Sequence, residues 1–127
     1  MSLVNAGLSR KTRKALPLVA LQVRLSLMNT DLEGYVHACL ALARATSIPQ
    51  YKNISAETMI IVGREDRMTP PHSDAEYVQK KIPRARLLVL EDVGHWSHLE
   101  DWERTAEEMM KFIGLRHPST NFAYARL

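Results

Sequence analysis

Two short, continuous apolar segments in the second half of the chain place the strongest constraint on its fold. Residues 58–62 run Thr-Met-Ile-Ile-Val and end at a glycine, and residues 87–90 run Leu-Leu-Val-Leu. Apolar runs of this length without alternation are typical of strands buried on both faces of a parallel sheet. Between them, Pro70 and Pro71 are suited to open a helix that Pro83 closes. Because a helical crossover joins parallel strands, we expect these two strands to pair in parallel.

Helical periodicity accounts for most of the remaining sequence. Apolar residues recur at helical spacing in three further segments, residues 10–28, 32–44 and 97–113. Two of these segments begin with the capping-box spacing, Thr30 with Glu33 and Ser97 with Glu100. The second helix is expected to bury one stripe, formed by Leu32, Tyr35, Val36, Cys39, Leu40 and Ala43. The sequence therefore predicts an α/β protein, in which two long helices precede a parallel strand–helix–strand–helix unit.

Composition and charge argue against several classes of protein. The 127 residues suit one domain, and a content of 46% hydrophobic and 24% charged residues is typical of a folded globular chain. No apolar stretch approaches the ~18 residues that cross a bilayer, so no membrane partner is expected. Residues 1–30 carry five basic residues and no acidic one, but the net charge is only +3. A nucleic-acid partner is not expected, because a dense basic face interleaved with aromatic residues is missing.

The cellular compartment is predicted from the same composition. Cys39 is the only cysteine, which rules out an intrachain disulfide and favours a reducing compartment. We therefore expect a cytoplasmic protein. The arginine-rich, acid-poor start leaves a mitochondrial transit peptide as an alternative.

Two polar loops follow the predicted strands. Residues 63–66 run Gly-Arg-Glu-Asp, and residues 91–95 run Glu-Asp-Val-Gly-His. Adjacent parallel strands bring such loops together at one edge of the sheet, where the ligands of open parallel sheets bind. The carboxylate of Asp66 would then accept a hydrogen bond from the imidazole of His95. Such a pair fixes the tautomer of the histidine and stabilises its protonated form, as a general base requires.

Other polar and aromatic residues near these loops have more than one interpretation. Trp96 either lines a substrate pocket or packs under the last helix, and Arg67 either contacts an anionic substrate or is solvated. His95 and His98 raise the alternative of a metal site, with acidic neighbours at Glu91, Asp92 and Glu100. Because the spacing lacks the H-E-x-x-H pattern and a clear third ligand, we expect neither a metal nor a cofactor.

Three motifs in this half of the chain carry a family resemblance. They are Gly63-Arg64-Glu65-Asp66, then Thr69-Pro70-Pro71, and then Gly94-His95 through Leu99-Glu100. With them, residues 58–113 resemble the C-terminal part of the α/β-hydrolase fold. The resemblance implies a catalytic triad in the order nucleophile, acid, histidine, with Asp66 as the acid and His95 as the base.

The helical first part of the chain extends the resemblance. Residues 17–45, with Asp31-Leu32-Glu33-Gly34-Tyr35 and Ala38-Cys39, resemble the lid helices of 3-oxoadipate enol-lactonase-like hydrolases. The resemblance implies hydrolysis of a small-molecule carboxylic ester or lactone. Carbon–carbon bond hydrolases and epoxide hydrolases have similar motifs and are kept as alternatives. Three regions are expected: a basic segment with lid-type helices over 1–46, the hydrolase half over 47–115, and a polar tail over 116–127.

The nucleophile elbow of that family, G-x-S-x-G, is absent from the sequence. Gly7-Leu8-Ser9 begins like the motif, but Lys11 occupies the position of the second glycine. The oxyanion-hole loop is absent too. We therefore expect the chain to begin within or just before the lid, and to be inactive alone. An N-terminal hydrolase half, or self-association through an exposed sheet edge, would complete it. The alternative is a non-catalytic remnant that serves as an interaction module.

Overall fold

The computed structural model describes residues 3–46 and 49–114. The helices are α1 (Leu3–Gly7), α2 (Arg10–Ala15), α3 (Pro17–Met28), α4 (Leu32–Arg44), α5 (Glu76–Lys81), α6 (Ser97–Glu100) and α7 (Trp102–Phe112). The strands are β1 (Thr58–Gly63) and β2 (Ala85–Leu90), with short helical turns at Tyr51–Asn53 and Pro71–Ala75. The predicted polar tail over 116–127 lies outside the described residues. No helix in the described part of the chain is long and apolar enough to cross a membrane.

The two strands pair in parallel, as their apolar patterns predict. Thr58 lies opposite Ala85 and Gly63 lies opposite Leu90, so the strands begin and end level with each other. Helix α5 forms the crossover and packs against β2, whereas α6 and α7 contact β1. The α/β fold class predicted from the sequence is confirmed.

The strands are less buried than their apolar patterns predict. Val62 and Gly63 are buried at the end of β1, and Leu90 is buried at the end of β2, but residues 58–61 are only half-buried. Within residues 3–46 and 49–114 the sheet has two strands, so each has an outer edge without a ladder partner. The prediction of strands buried on both faces is therefore wrong for all but their carboxyl ends. The exposed edge expected for β1 is present in this part of the chain.

The predicted helix over 10–28 is broken at Leu16. Proline disfavours helical geometry in the residue before it, and Leu16 accordingly has φ −125° and ψ 65°. Helix α2 ends at Ala15, and Pro17 occupies the first turn of α3, where its missing amide hydrogen costs no helical bond. The single helix predicted over 10–28 is thus two helices, α2 and α3, with a bend just before Pro17.

A small apolar core joins the two halves of the chain. Val4, Leu8 and Val23 form its buried centre, on α1, the following turn and α3. Half-buried side chains from both halves pack against this centre, namely Val19, Ala20, Leu27, Trp96 and Leu99. The N-terminal helices are therefore held against the loop and helix that follow β2.

Helix α4 has the predicted bounds but not the predicted cap or burial. Its N-cap is Asp31, whose Oδ2 accepts a hydrogen bond from the Gly34 amide at 2.6 Å. Thr30, the predicted cap, instead donates its hydroxyl to the Ser26 carbonyl. The predicted buried stripe is exposed throughout, and α4 has no buried residue. The reason is that α4 makes no extended contact with any other described element.

The predicted helix over 97–113 is also divided. Asp101 has φ −145°, which ends α6, and its carboxylate accepts a hydrogen bond from the Arg104 amide to cap α7. Thr105 is buried at this joint and donates its hydroxyl to the Ser97 carbonyl at 3.2 Å. The short α6 is thereby fixed against the start of α7.

The burial pattern predicts where a leucine matters for stability. Leu90 is fully buried, whereas Leu42 is 77% exposed. Leu90→Ala should lower the free energy of unfolding by about 2–5 kcal/mol, because the substitution leaves a cavity at the end of β2. The matched control Leu42→Ala should change it by less than about 0.5 kcal/mol. Urea unfolding followed by circular dichroism measures both, and equal effects would contradict the described packing.

Candidate active site

Asp66 is held in a tight turn just beyond the carboxyl end of β1. Its Oδ1 accepts hydrogen bonds from the backbone amides of Met68 at 2.8 Å and Thr69 at 3.0 Å. Its Oδ2 accepts a 2.7 Å hydrogen bond from the Thr69 hydroxyl. An aspartate that accepts from amides two and three residues ahead is typical of turns. The carboxylate of Asp66 is therefore fixed in direction, and its residue is only 5% exposed.

The surroundings of Asp66 keep it ionised. Burial acts to raise its pKa, but the hydrogen bonds donated by the Thr69 amide, the His95 ring, the Thr69 hydroxyl and the Met68 amide together hold the pKa below its usual value. Asp66 is thus a carboxylate at neutral pH. Three of the four hydrogen bonds that it accepts come from Met68 and Thr69, within its own turn. The fourth contact reaches the loop that follows β2.

His95 lies on that second loop and meets Asp66 as the sequence predicts. Its Nδ1 is 2.9 Å from Oδ2 of Asp66 and 3.5 Å from the Thr69 hydroxyl oxygen. Because the carboxylate of Asp66 can only accept, Nδ1 carries the hydrogen of this bond. In the neutral ring Nε2 then bears the free lone pair, and no described side chain is hydrogen-bonded to it. The His95 side chain is 31% exposed, whereas that of Asp66 is 4% exposed.

Close backbone contacts bring the two loops together. The Glu65 amide donates to the Val93 carbonyl at 2.8 Å. A Cβ atom at Gly63 would clash with the carbonyl oxygens of Val93 and Gly94, so only glycine fits there. Asp92 adopts φ 59°, a left-handed conformation that aspartate tolerates better than most residues and that turns the second loop.

The structure assigns Trp96 to the core more than to an open pocket. Its ring packs against the cluster of Val4, Leu8 and Val23 and contacts the His95 ring edge-on, with centroids 5.4 Å apart. Arg67 is exposed beside Asp66. The substrate-binding roles of Trp96 and Arg67 therefore stay predictions.

Ser9, the serine of the incomplete elbow, is placed where it cannot act as a nucleophile. It is fully buried, and its hydroxyl donates to the Thr12 hydroxyl at 3.0 Å. The same oxygen accepts the Thr12 amide at 3.1 Å, which makes Ser9 the N-cap of α2. In the described ranges no group of three histidine, cysteine or acidic side chains is arranged to hold a metal ion.

Two residues of the site were not assigned by the sequence analysis. Thr69 was noted only as part of a motif, although its hydroxyl and amide both bind Asp66; an aspartate followed by threonine three residues later is the local signal. Glu100 was interpreted as the last residue of a capping box. The predicted box is wrong: the N-cap of α6 is Trp96 and makes no side-chain cap. Glu100 accepts the amides of Trp96, Gly94 and Ser9 in place of the Ser97 amide.

Comparison with known families identifies the fold. The family model of the alpha/beta hydrolase fold matches residues 13–101, which is well over half of the chain. The chain belongs to the α/β-hydrolase family. The predicted family resemblance is thereby confirmed.

Individual relatives of this chain are enzymes of several kinds. It is 34% identical over 88 residues to 3-oxoadipate enol-lactonase 1 of Acinetobacter baylyi, covering 69% of this chain and 32% of that enzyme. It is 40% identical over 57 residues to 2-hydroxymuconate semialdehyde hydrolase of Pseudomonas putida, covering 45% of this chain and 20% of that enzyme. An esterase of Thermogutta terrifontis has a similar structure, with a TM-score of 0.82, 25% identity and coverage of 88% of this chain and 41% of that esterase. This chain spans less than half the length of each.

The hydrogen bonds of Asp66 predict a pH-dependent contribution to the stability of the folded chain. Because its pKa is lower in the folded than in the unfolded chain, the contribution is complete above about pH 4 and is lost as pH falls through the folded value. Asp66→Asn should lower the free energy of unfolding by about 1–3 kcal/mol at pH 7.

The loss caused by Asp66→Asn should shrink as the pH is lowered toward 3. Urea unfolding at a series of pH values measures it. Asp74→Asn, at an exposed position before α5, is the matched control and should show no such pH dependence. A loss for Asp66→Asn that is the same at every pH would contradict the ionised, hydrogen-bonded state of Asp66.

Proposed function

We propose that this chain supplies the acid and the base of a Ser-Asp-His triad that hydrolyses a carboxylic ester or a lactone. The observation that carries the proposal is the 2.9 Å contact between Asp66 and His95, made by two loops at the level ends of two parallel strands. Membership of the α/β-hydrolase family supports it, as does the similarity to an enol-lactonase and an esterase. No step requires a metal or an organic cofactor.

The geometry of His95 suits a base that later acts as an acid. Nε2 takes the proton of a serine hydroxyl while the serine oxygen bonds to the carbonyl carbon of the substrate. Asp66 stabilises the resulting imidazolium through Nδ1. When the tetrahedral intermediate collapses, the carbon–oxygen bond to the leaving alcohol breaks, and Nε2 returns its proton to that oxygen. Water attacks the acyl-enzyme by the same proton transfers in a second half-reaction.

The nucleophile and the oxyanion donors of this proposal come from outside the 127 residues. The sequence contains no G-x-S-x-G elbow, and the hydroxyl of Ser9 is buried and occupied by Thr12. Two features offer surfaces on which further hydrolase structure would pack. One is the outer edge of β1, and the other is the exposed apolar stripe of α4 that includes Leu32 and Leu40.

Two other functions are compatible with parts of these observations. Hydrolysis of a carbon–carbon bond is favoured by the similarity to the semialdehyde hydrolase, and a panel that contains esters, lactones and vinylogous diketones separates it from ester hydrolysis. A non-catalytic interaction module is favoured by the exposed α4 stripe. It would leave the Asp66–His95 contact without a role, and its biological activity would tolerate Asp66→Asn and His95→Gln.

His95 should be essential in the protein as it occurs in its source cells. His95→Gln, introduced at the chromosomal gene, should lower kcat/KM for the best ester or lactone by about 10⁴-fold or more, because Gln cannot take the serine proton. His98→Gln, three residues away at an exposed position, is the control and should retain activity. Immunopurification with an antibody against residues 58–114, followed by the assay, compares the two. Full activity in His95→Gln, or no hydrolysis of any compound by the wild type, would overturn the proposal.

The 127-residue chain by itself should be a poor catalyst. Without a nucleophile and oxyanion donors, hydrolysis of an activated ester such as p-nitrophenyl acetate should stay within about tenfold of the buffer rate, since these groups supply most of a triad enzyme's acceleration. A spectrophotometric assay of the purified chain measures this. Substantial turnover that disappears in His95→Ala and Asp66→Ala would show that the chain carries its own nucleophile.

A further inference from the structure

A buried carboxylate outside the Asp66–His95 contact binds the backbone of the base loop, which is the segment of residues 91–96 that carries His95. Glu100, at the end of α6, is only 9% exposed. Its Oε1 accepts hydrogen bonds from the amides of Gly94 at 3.1 Å and Trp96 at 3.3 Å. Its Oε2 accepts the amide of Ser9 at 2.8 Å. One side chain thus binds the two residues that flank His95 and a third residue from the N-terminal half of the chain.

The amide of His95 itself is bound by the same N-terminal segment. It donates to the Gly7 carbonyl at 2.6 Å. Three consecutive amides are therefore all hydrogen-bonded. Those of Gly94 and Trp96 donate to Glu100, and that of His95 donates to Gly7, in the segment whose Ser9 amide Glu100 also binds. The backbone of the base loop has no freedom to rotate without breaking one of these bonds.

Glycines allow this close approach. A Cβ atom at Gly94 would clash with the Gly7 carbonyl and would lie 2.8 Å from the Ser9 amide nitrogen and 2.9 Å from Oε1 of Glu100. A Cβ atom at Gly7 would clash with the Trp96 ring. The base loop and the N-terminal segment are thus in direct backbone contact, with Glu100 at the edge of that contact.

A second carboxylate, on the loop of residues 64–69 that carries Asp66, binds the same N-terminal segment. Glu65, next to Asp66, accepts the Arg10 amide at 2.9 Å and lies 3.5 Å from Nε of Arg10. Residues 7–10 therefore bridge the two loops, since Glu65 binds their carboxyl end and Glu100 binds Ser9. The bridge adds to the direct hydrogen bond from the Glu65 amide to the Val93 carbonyl, which already joins the two loops.

The contacts of Glu100 require that both oxygens of its side chain accept hydrogen bonds. Both carboxylate oxygens face N–H groups, which only donate. Glutamine has the same shape, but its NH₂ group would face either the Ser9 amide or the amides of Gly94 and Trp96, donor against donor. A buried donor without an acceptor is unfavourable, so glutamine cannot keep both sides of the contact.

We propose that Glu100 is a positioning residue: its carboxylate, bound to the amides of Ser9, Gly94 and Trp96, fixes the base loop so that Nδ1 of His95 stays on Asp66. We call this set of contacts the Glu100 clamp. The inference rests on the proposed function, because it gives His95 the role of the base. Displacement of a catalytic group by about 1 Å is enough to lower activity about 100-fold, which is the reason to fix the loop.

The hydrogen on Nδ1 of His95 reports the clamp directly. In wild-type chain labelled with ¹⁵N, a hydrogen shared between Nδ1 and the Asp66 carboxylate should give a downfield imidazole NMR signal. In Glu100→Gln this signal should be lost or exchange with water at least tenfold faster, while circular dichroism at the temperature of the NMR measurement shows that the chain is still folded. Asp66→Asn gives the reference spectrum for a broken contact. Glu103→Gln, at an exposed position of α7, is the matched control and should leave the signal unchanged.

Two outcomes would overturn the inference. One is a Glu100→Gln protein whose Nδ1 signal has the wild-type position and exchange rate. The other is equal loss of the signal in Glu103→Gln. These measurements do not depend on hydrolysis of an ester, so they test the clamp even if the proposed hydrolysis is wrong. Absence of the signal in the wild-type chain would contradict the Asp66–His95 contact itself.

Amide hydrogen exchange of the wild type tests the clamp without any substitution, should Glu100→Gln fail to fold. The amides of Ser9, Gly94 and Trp96 share one acceptor residue, so their protection factors should be similar and should respond together to added urea. Exchange of the Ser9 amide at the rate of a free peptide, or independent responses of the three amides, would show that the clamp is not formed.

Discussion

The parallel ladder between β1 and β2 is the interaction on which the site depends. Its register places Gly63 opposite Leu90, so both strands end at the same level. The Arg64 amide extends the ladder by donating to the Leu90 carbonyl at 2.8 Å. From these two ends the chain needs only a few residues to reach Asp66 and His95. A shift of one residue in this register would move one loop along the strand axis by about 3.3 Å, more than the length of the bond between the two side chains.

The N-terminal helices depend on tertiary contacts for their stability. Helices α1 and α2 have five and six residues, too few to be stable in water by themselves. They are held by the core of Val4, Leu8 and Val23. Two hydrogen bonds add to this core: the His95 amide donates to the Gly7 carbonyl, and the Ser9 amide donates to Glu100 at the end of α6. The N-terminal helices are thus joined to the sheet half through the loop that carries His95, through α6, and through the contact of Arg10 with Glu65 beside Asp66.

Local patterns in the sequence predicted what is decided locally. The two strands, the crossover helix between Pro71 and Pro83, and the bounds of α4 follow from apolar runs and from prolines. The Asp66–His95 contact was predicted because strand order brings two nearby loops together. The burial of α4 was not predicted correctly, since periodicity shows which face is apolar but not whether anything covers it. The role of Glu100 was missed because its partner Ser9 is 91 residues away, and no spacing rule reaches so far.

That separation has a consequence for the order of folding. Contacts between distant residues require the chain to close a long loop, and such contacts form after local helices and neighbouring strands. Helix α5 and the turn of Asp66 involve only local contacts, so they can form before Ser9 and Glu100 meet. The base loop becomes rigid only after the carboxylate near the end of the sheet half meets the amide near the start of the chain. An aligned Asp66–His95 contact is therefore expected late in folding, after Ser9 and Glu100 have met.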